Sequence, residues 1–181
     1  MLSWDPVMAA NHHAFPRAPL EARFRAGSGA AGLSVNVLVL HLKAFGDPES
    51  LQRRLAASRQ LRDYVAARAD QRYVILGDLN DSPFDEGDDN AFAGTLLGVE
   101  PTWHFVTAQL PRESVSSLGY FHFVGDERVR GEFLDHFVVT GTFMELYSDV
   151  IPEIRGVPPW QYDDWEESRS DHFPVVVQFV P

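Results

Sequence analysis

The stretch YVILGDLNDSP, residues 73–83, sets the problem. Tyr73, Val74, Ile75 and Leu76 read as a short buried strand, and Gly77, Asp78, Leu79 and Asn80 follow without a break before Pro83. A buried strand that ends on a carboxylate and a carboxamide two positions apart has two explanations. Asp and Asn are the ordinary builders of turns. Alternatively, the strand delivers polar groups to a site: side chains at alternate positions share a face, a carboxylate there can orient a water or bind a cation, and a carboxamide can donate a hydrogen bond without adding charge.

The segments on either side place this strand in a crossover unit. Upstream, LSVNVLVLHL (33–42) puts Leu33, Val35, Val37 and Val39 on one face and Leu38 and Leu40 on the other, as expected of a strand covered on both sides. Asp47-Pro48 reads as an N-cap and first helical residue of a helix over 48–69, with Leu51, Leu55, Leu61 and Val65 inward. Its arginines between 53 and 62 read as a solvated face. The order strand, helix, strand suggests a crossover unit, and such units place ligands at the carboxyl ends of their strands. His41 lies at one such end and Asp78 at the other.

The remaining segments read more loosely. Residues 20–26 alternate weakly, as in a strand, and 27–32 are a glycine-rich turn. A short helix is expected over 91–97. Strands are expected over 119–124 and 133–140, joined at Gly125-Asp126 as a hairpin. Residues 152–169 read as irregular, with aromatic residues at 159–165 that pack on the domain's own core in the favoured reading, or else wall a substrate cleft or touch a membrane surface, and a last strand runs over 174–180. A crossover followed by hairpins indicates α+β layers in a single domain spanning 1–181.

Two further polar pairs interrupt apolar runs. In FLDHFVVT (133–140), Asp135 lies within a strand, where an unpaired carboxylate is costly and needs a partner. In SDHFPVVVQF (170–179), Asp171 and His172 immediately precede the last strand, and adjacent side chains on an extended chain point to opposite sides. Carboxylates, an amide and imidazoles, in a chain with no cysteine, suit a hard divalent ion held through oxygen, and suit attack of an oriented water on a phosphate ester.

Composition narrows the classes. No apolar run approaches the roughly 20 residues of a membrane helix, and the first residues lack the basic start and apolar stretch of a signal peptide, so a cytoplasmic location is the default expectation. A net charge of −11 disfavours holding a long polyanion by charge alone. A single phosphate ester held through a bound cation stays compatible with it.

In this order, VLVLHLKA (37–44), VILGDLNDSP (74–83), FLDHFVVT and SDHFPVVVQF resemble the endonuclease/exonuclease/phosphatase superfamily of deoxyribonuclease-like metal-dependent phosphoesterases. The resemblance implies a layered α/β sandwich and hydrolysis of a phosphodiester or phosphomonoester by in-line attack of activated water, with Mg²⁺ or Mn²⁺. It implies that Asp78 activates the water and that Asn80 holds water and phosphate. His172 would contact the scissile phosphate, Asp135 would orient His172, and His41 would assist at a phosphoryl oxygen or the leaving group. Asp171, Asp78 and Asn80 would serve the metal. The substrate would be a nucleic acid or a small or lipid phosphodiester.

The chain departs from that pattern at its start. The family's first strand with an Asn and a second strand with a metal-binding Glu have no counterpart, and Glu21 is a poor substitute. An incomplete sandwich is therefore expected, with weakened metal binding and a sheet face that a second chain would cover. The alternative to an enzyme is a non-catalytic or partner-completed remnant acting as a binding or structural subunit.

Overall fold

The structure is a computed structural model that describes residues 2–3, 6–26, 33–99, 102–124 and 127–181. The turns expected at 27–32 and 125–126 lie outside the described residues. Strands β1 (Leu2–Ser3), β2 (Leu20–Ala26), β3 (Leu33–His41), β4 (Tyr73–Asp78), β5 (Trp103–Phe105) and β8 (Asp135–Thr140) form one sheet in the order β1-β2-β3-β4-β8-β5. Strands β3 and β4 run parallel, joined by helix α2 (Pro48–Ala66), and the other pairs are antiparallel. Two antiparallel strand pairs stand apart from this sheet: the hairpin of β6 (Ser117–Val124) with β7 (Glu127–Glu132), and β9 (Asp149–Ile154) with β10 (Val175–Val180). Three short α-helices, α1 (Pro6–Ala10), α3 (Gly141–Met144) and α4 (Tyr162–Ser168), and three single 3-10 turns at Gly87–Asp89, Val106–Gln109 and Pro159–Gln161 complete the described elements.

Helix α2 forms where its capping residues place it. The Asp47 carboxylate accepts from the Ser50 backbone N–H at 3.0 Å, and Pro48 occupies the first turn, where its missing N–H costs nothing. Its inner stripe is Arg54, Ala57, Ser58, Leu61 and Val65, packed on the sheet face made by Leu38, Leu40, Ile75 and Val138. Burying Leu61 alone contributes roughly 2 kcal/mol. The opposite sheet face carries Val35, Val37, Val74, Leu76, Phe137 and Val139. Val177 and Phe179 of β10 pack with Phe143 and Val150 over part of it.

Several expectations are corrected. The helix ends at Ala66 rather than 69. Arg54 is not on a solvated face but buried at 5 % exposure, on the same stripe as Leu61. Residues 91–97 form turns, because the Asn90 side chain accepts from the N–H groups of Phe92 and Ala93, and Gly94 and Gly98 adopt positive φ. Strand β6 pairs with β7 rather than with 133–140, and β8 leaves that hairpin to join the main sheet. Residues 152–169 are largely regular. Pro152 sits in β9, an edge strand, and Pro159 opens a helical turn ahead of α4, two positions where proline is tolerated. The aromatic segment divides: Tyr162 and Trp165 pack on Phe173, whereas Trp160 is 80 % exposed.

His136 is a core residue between Phe105 and Phe133. Its Nε2–H donates to the Phe133 carbonyl at 3.0 Å, and Thr107 Oγ1 lies 3.0 Å from Nδ1, so the neutral ring is fully satisfied. Burial lowers its pKa from 6.5 to about 4. Below pH 6.5 the unfolded chain takes up a proton that the native ring refuses, so stability present above that pH is lost as pH falls toward 4, by up to about 3 kcal/mol. Urea melts at pH 7 and pH 5 should show this loss, and His136→Gln should flatten the difference between them.

Candidate active site

Strand register gathers the site. His41 of β3 stands opposite Asp78 of β4, and Asp78 stands opposite Asp135 of β8. One row across three neighbouring strand ends therefore carries an imidazole and two carboxylates, on the face that holds Val39, Leu76 and Phe137 one row before. His41 Nε2 lies 3.3 Å from Asp78 Oδ2. His172, arriving on the segment before β10, donates Nδ1–H to Asp135 Oδ2 at 2.7 Å. The structure thus brings His41, Asp78, Asp135 and His172 together as two imidazole–carboxylate pairs.

A glycine permits the close approach of β3 and β4. Gly77 has φ of 127°, and a Cβ there would lie 2.1 Å from the Leu40 carbonyl oxygen. Only a residue without a Cβ brings the strands together at the step before Asp78.

Charge and burial then set the titration of the pairs. Burial, and next the nearby Asp135 carboxylate, raise the pKa of Asp78, while His172 and His41 oppose the rise. The hydrogen bond to Asp135 is the main reason His172 is raised, with burial working against it. A carboxyl pushed toward neutrality beside an imidazole held toward its cation is a combination suited to moving a proton and to stabilising an anion.

Asn80 and Asp171 are placed differently. Strand β4 stops at Asp78, so the alternation expected to align Asp78 with Asn80 does not extend to it. Asn80 instead has φ of 51° and donates its backbone N–H to Asp78 Oδ1 at 3.0 Å, which closes an Asx turn. Its side-chain amide donates to the Leu42 carbonyl at 3.2 Å. Turn building and delivery of a carboxylate are thus both present in D-x-N. Asp171 is exposed, beside the inward-facing His172. A cavity of about 970 Å³ opens beside Asn80, lined also by Phe45, Leu51, Arg54, Asp85 and Phe133.

The donor set does not make a metal centre by itself. Among the described residues, no group of three or more His, Asp or Glu is placed to hold an ion. The Asp78 and Asp135 carboxylates are each engaged by an imidazole. Glu21 stands opposite Leu38, on the helix-facing side of the sheet, where it accepts from the Tyr64 hydroxyl at 2.9 Å.

Two supports were not foreseen in the sequence. Arg54 donates to Asp81 Oδ2 at 2.7 Å and to the carbonyls of Lys43 and Phe45, and so ties helix α2 to both strand-exit loops. Its spacing of seven and eleven residues from Leu61 and Val65 marks it as inward-facing. Ser116 and Ser117 are fully buried. Ser116 Oγ accepts from the N–H groups of Leu134 and Asp135, and Ser117 Oγ lies 3.3 Å from His172 Nε2. Nothing in the local sequence distinguishes these serines from loop residues.

No protein-family model matches the sequence, and a comparison with curated proteins finds no match. Solved structures do match. An endonuclease/exonuclease/phosphatase from Beutenbergia cavernae aligns with a TM-score of 0.57 at 18% identity, over 99% of this chain and 44% of that one. Truncated Caenorhabditis elegans TDP2 gives 0.55 at 14%, over 90% of this chain and 60% of that one. D. rerio TDP2, complexed with a single-strand DNA product, gives 0.51 at 16%, over 87% and 59%. The chain thus spans about half the length of these proteins. No helix among the described residues is long and apolar enough to cross a membrane. The fold of this chain is that of the endonuclease/exonuclease/phosphatase, or deoxyribonuclease-like, proteins.

Proposed function

We propose that this chain carries the hydrolytic half of a phosphoesterase site, acting on a phosphodiester or phosphomonoester. The observation that supports it is the row of His41, Asp78 and Asp135, in which His41 pairs with Asp78 while His172, from the segment before β10, pairs with Asp135. In this reading Asp78, held toward neutrality by burial, accepts a proton from the attacking water as the oxygen–phosphorus bond forms. His172, held toward its cation by Asp135, faces the charge that develops on the phosphoryl oxygens. His41 contacts a phosphoryl oxygen or assists the leaving group. The Asn80 backbone N–H fixes the Asp78 carboxylate. Asp78, Asn80 and Asp171 would serve the expected Mg²⁺ or Mn²⁺, and among the described residues no group of three or more His, Asp or Glu is placed to hold it without further ligands.

A second reading, completion by a partner chain, is favoured by a specific pair of observations. Among the described residues no group of three or more His, Asp or Glu is placed to hold an ion, and the sheet face leading to the row exposes Leu20, Phe24 and Val39 at 42 %, 60 % and 38 %. The net charge of −11 favours a small or lipid ester over a long nucleic acid, although the D. rerio protein holds a DNA product. Hydrolysis of bis(nitrophenyl) phosphate and nitrophenyl phosphate, with and without Mg²⁺ or Mn²⁺, tests the first reading. Turnover of either ester is the expected result. No turnover of either, with or without either ion, overturns an autonomous enzyme and leaves the partner-completed subunit.

A further inference from the structure

The adjacent serines at 116 and 117 touch both members of one pair. On extended backbone, neighbouring side chains point to opposite sides. Ser116 Oγ faces β8 and accepts two backbone N–H groups, one of them from Asp135 itself. Ser117 Oγ faces the other way, 3.3 Å from His172 Nε2. The backbone reinforces this. Leu118 donates to the Asp171 carbonyl at 2.6 Å and Phe173 donates to the Ser116 carbonyl at 2.8 Å, so the segment bearing His172 is bridged to the start of β6 on both sides of the Ser117–His172 contact. Ser116 is further fixed through its N–H to the Glu132 carbonyl at 2.9 Å. Two elements far apart in sequence, β8 and the segment before β10, are thereby referenced to one dipeptide.

We propose that Ser116-Ser117 is the positioning device of the Asp135–His172 pair, and that Ser117 holds the imidazole in register until substrate arrives. The chemistry of the contact fits that role. Asp135 accepts from Nδ1–H, which leaves Nε2 as an acceptor in the neutral ring, and a hydroxyl can donate to it. When Nε2 carries a proton, the same hydroxyl oxygen accepts instead, so Ser117 serves the ring in either state. The two bonds differ in strength. At 2.7 Å to a carboxylate, the Asp135 contact is the strong one, and at 3.3 Å the Ser117 contact is the one a phosphoryl oxygen displaces. Ser117 is a positioning residue, not a catalytic one, because it is fully buried and acts through His172.

The kinetic part of this inference rests on the phosphoesterase reading, and the structural part does not. The test therefore has two arms, on the full chain with nitrogen-labelled histidine. Long-range proton–nitrogen correlation spectra read His172 Nε2 directly, with its resonance assigned by loss in His172→Gln. In Ser117→Ala, Nε2 is expected to shift toward an unbonded imidazole nitrogen while Nδ1 stays bonded to Asp135, and Ser117→Thr, which keeps the hydroxyl, should restore the native shift. An unchanged Nε2 in Ser117→Ala overturns the proposal whatever the kinetics show. In the second arm, hydrolysis of bis(nitrophenyl) phosphate by Ser117→Ala should show kcat reduced about ten-fold with KM nearly unchanged, and Ser117→Thr should recover most of it. Equal kcat in wild type and Ser117→Ala overturns the positioning role. If the wild type turns over no ester, the hydrolase reading fails by itself, and the Nε2 shift still decides whether the serines hold the pair.

Discussion

Asp78→Asn is expected to reduce ester hydrolysis by about a thousand-fold while leaving the protein at least as stable as before. The substitution keeps the shape and one oxygen of the side chain but removes its ability to take a proton from water. The stability half of the expectation follows from the site's electrostatics. Asp78 lies largely buried with Asp135 beside it, and both circumstances raise its pKa. A carboxyl whose pKa is higher in the native state than in the unfolded chain binds its proton more readily when folded. At any pH above the unfolded value the native state gives up more free energy to ionise this group than the unfolded chain does, so the carboxylate destabilises the fold, and the contribution is recovered as pH falls. Asparagine is neutral throughout, so Asp78→Asn should hold or raise Tm at pH 7, and the gain should shrink in acid. Loss of activity together with loss of stability would instead identify Asp78 as a turn former whose carboxylate matters to the fold, through the Asn80 N–H that it accepts. Measuring kcat and Tm on the same preparation separates the two.

How much of this was legible in the sequence depended on which physical rule governed each residue. The β3–α2–β4 crossover was readable because period-two and period-3.6 patterns, an N-cap and a proline all agreed there. That agreement places His41 and Asp78 at the carboxyl ends of the two strands, and the register of the sheet puts Asp135 beside them. The hairpin partner of β6 is hard to read because β7, with Arg128, Arg130 and Glu132, lacks an apolar alternation, whereas 133–140 is a strongly apolar run that serves a different sheet. The segment around α4 was misread because three prolines looked like breakers in positions where each is tolerated. The serines at 116 and 117 had no sequence signal, since a short hydroxyl side chain is equally at home in a loop and in a buried network. The Asx turn of Asn80 shows a different limit: D-x-N reads as either a turn or a site, and the structure shows the turn, closed by the Asn80 N–H on the Asp78 carboxylate.

Arg54→Ala should cost about 3–5 kcal/mol of stability, the largest effect expected of a single substitution remote from the row. Arg54 and Asp81 have side-chain exposures of 6 % and 1 %, so neither charge has water to fall back on. Removing the guanidinium leaves a carboxylate buried and two carbonyls, those of Lys43 and Phe45, without the donor they share. Burial already pushes Asp81 up to about 7 with the arginine in place, and Arg54 and its hydrogen bond are the influences that lower it. Without them the carboxyl should protonate on folding. The single variant is therefore expected to lose stability further as pH rises above 7, where the unfolded chain is ionised and the native side chain resists ionisation. Replacing both partners, Arg54→Met with Asp81→Leu, removes the buried charge along with its partner and should be milder than Arg54→Ala. Denaturant melts of the two singles and the double, at pH 6 and pH 8, close the cycle. A double variant no better than Arg54→Ala would mean that the carbonyls of Lys43 and Phe45, rather than the ion pair, are what the arginine is there to hold. The loop they belong to follows directly on His41, so that outcome would make Arg54 a determinant of the site as well as of the core.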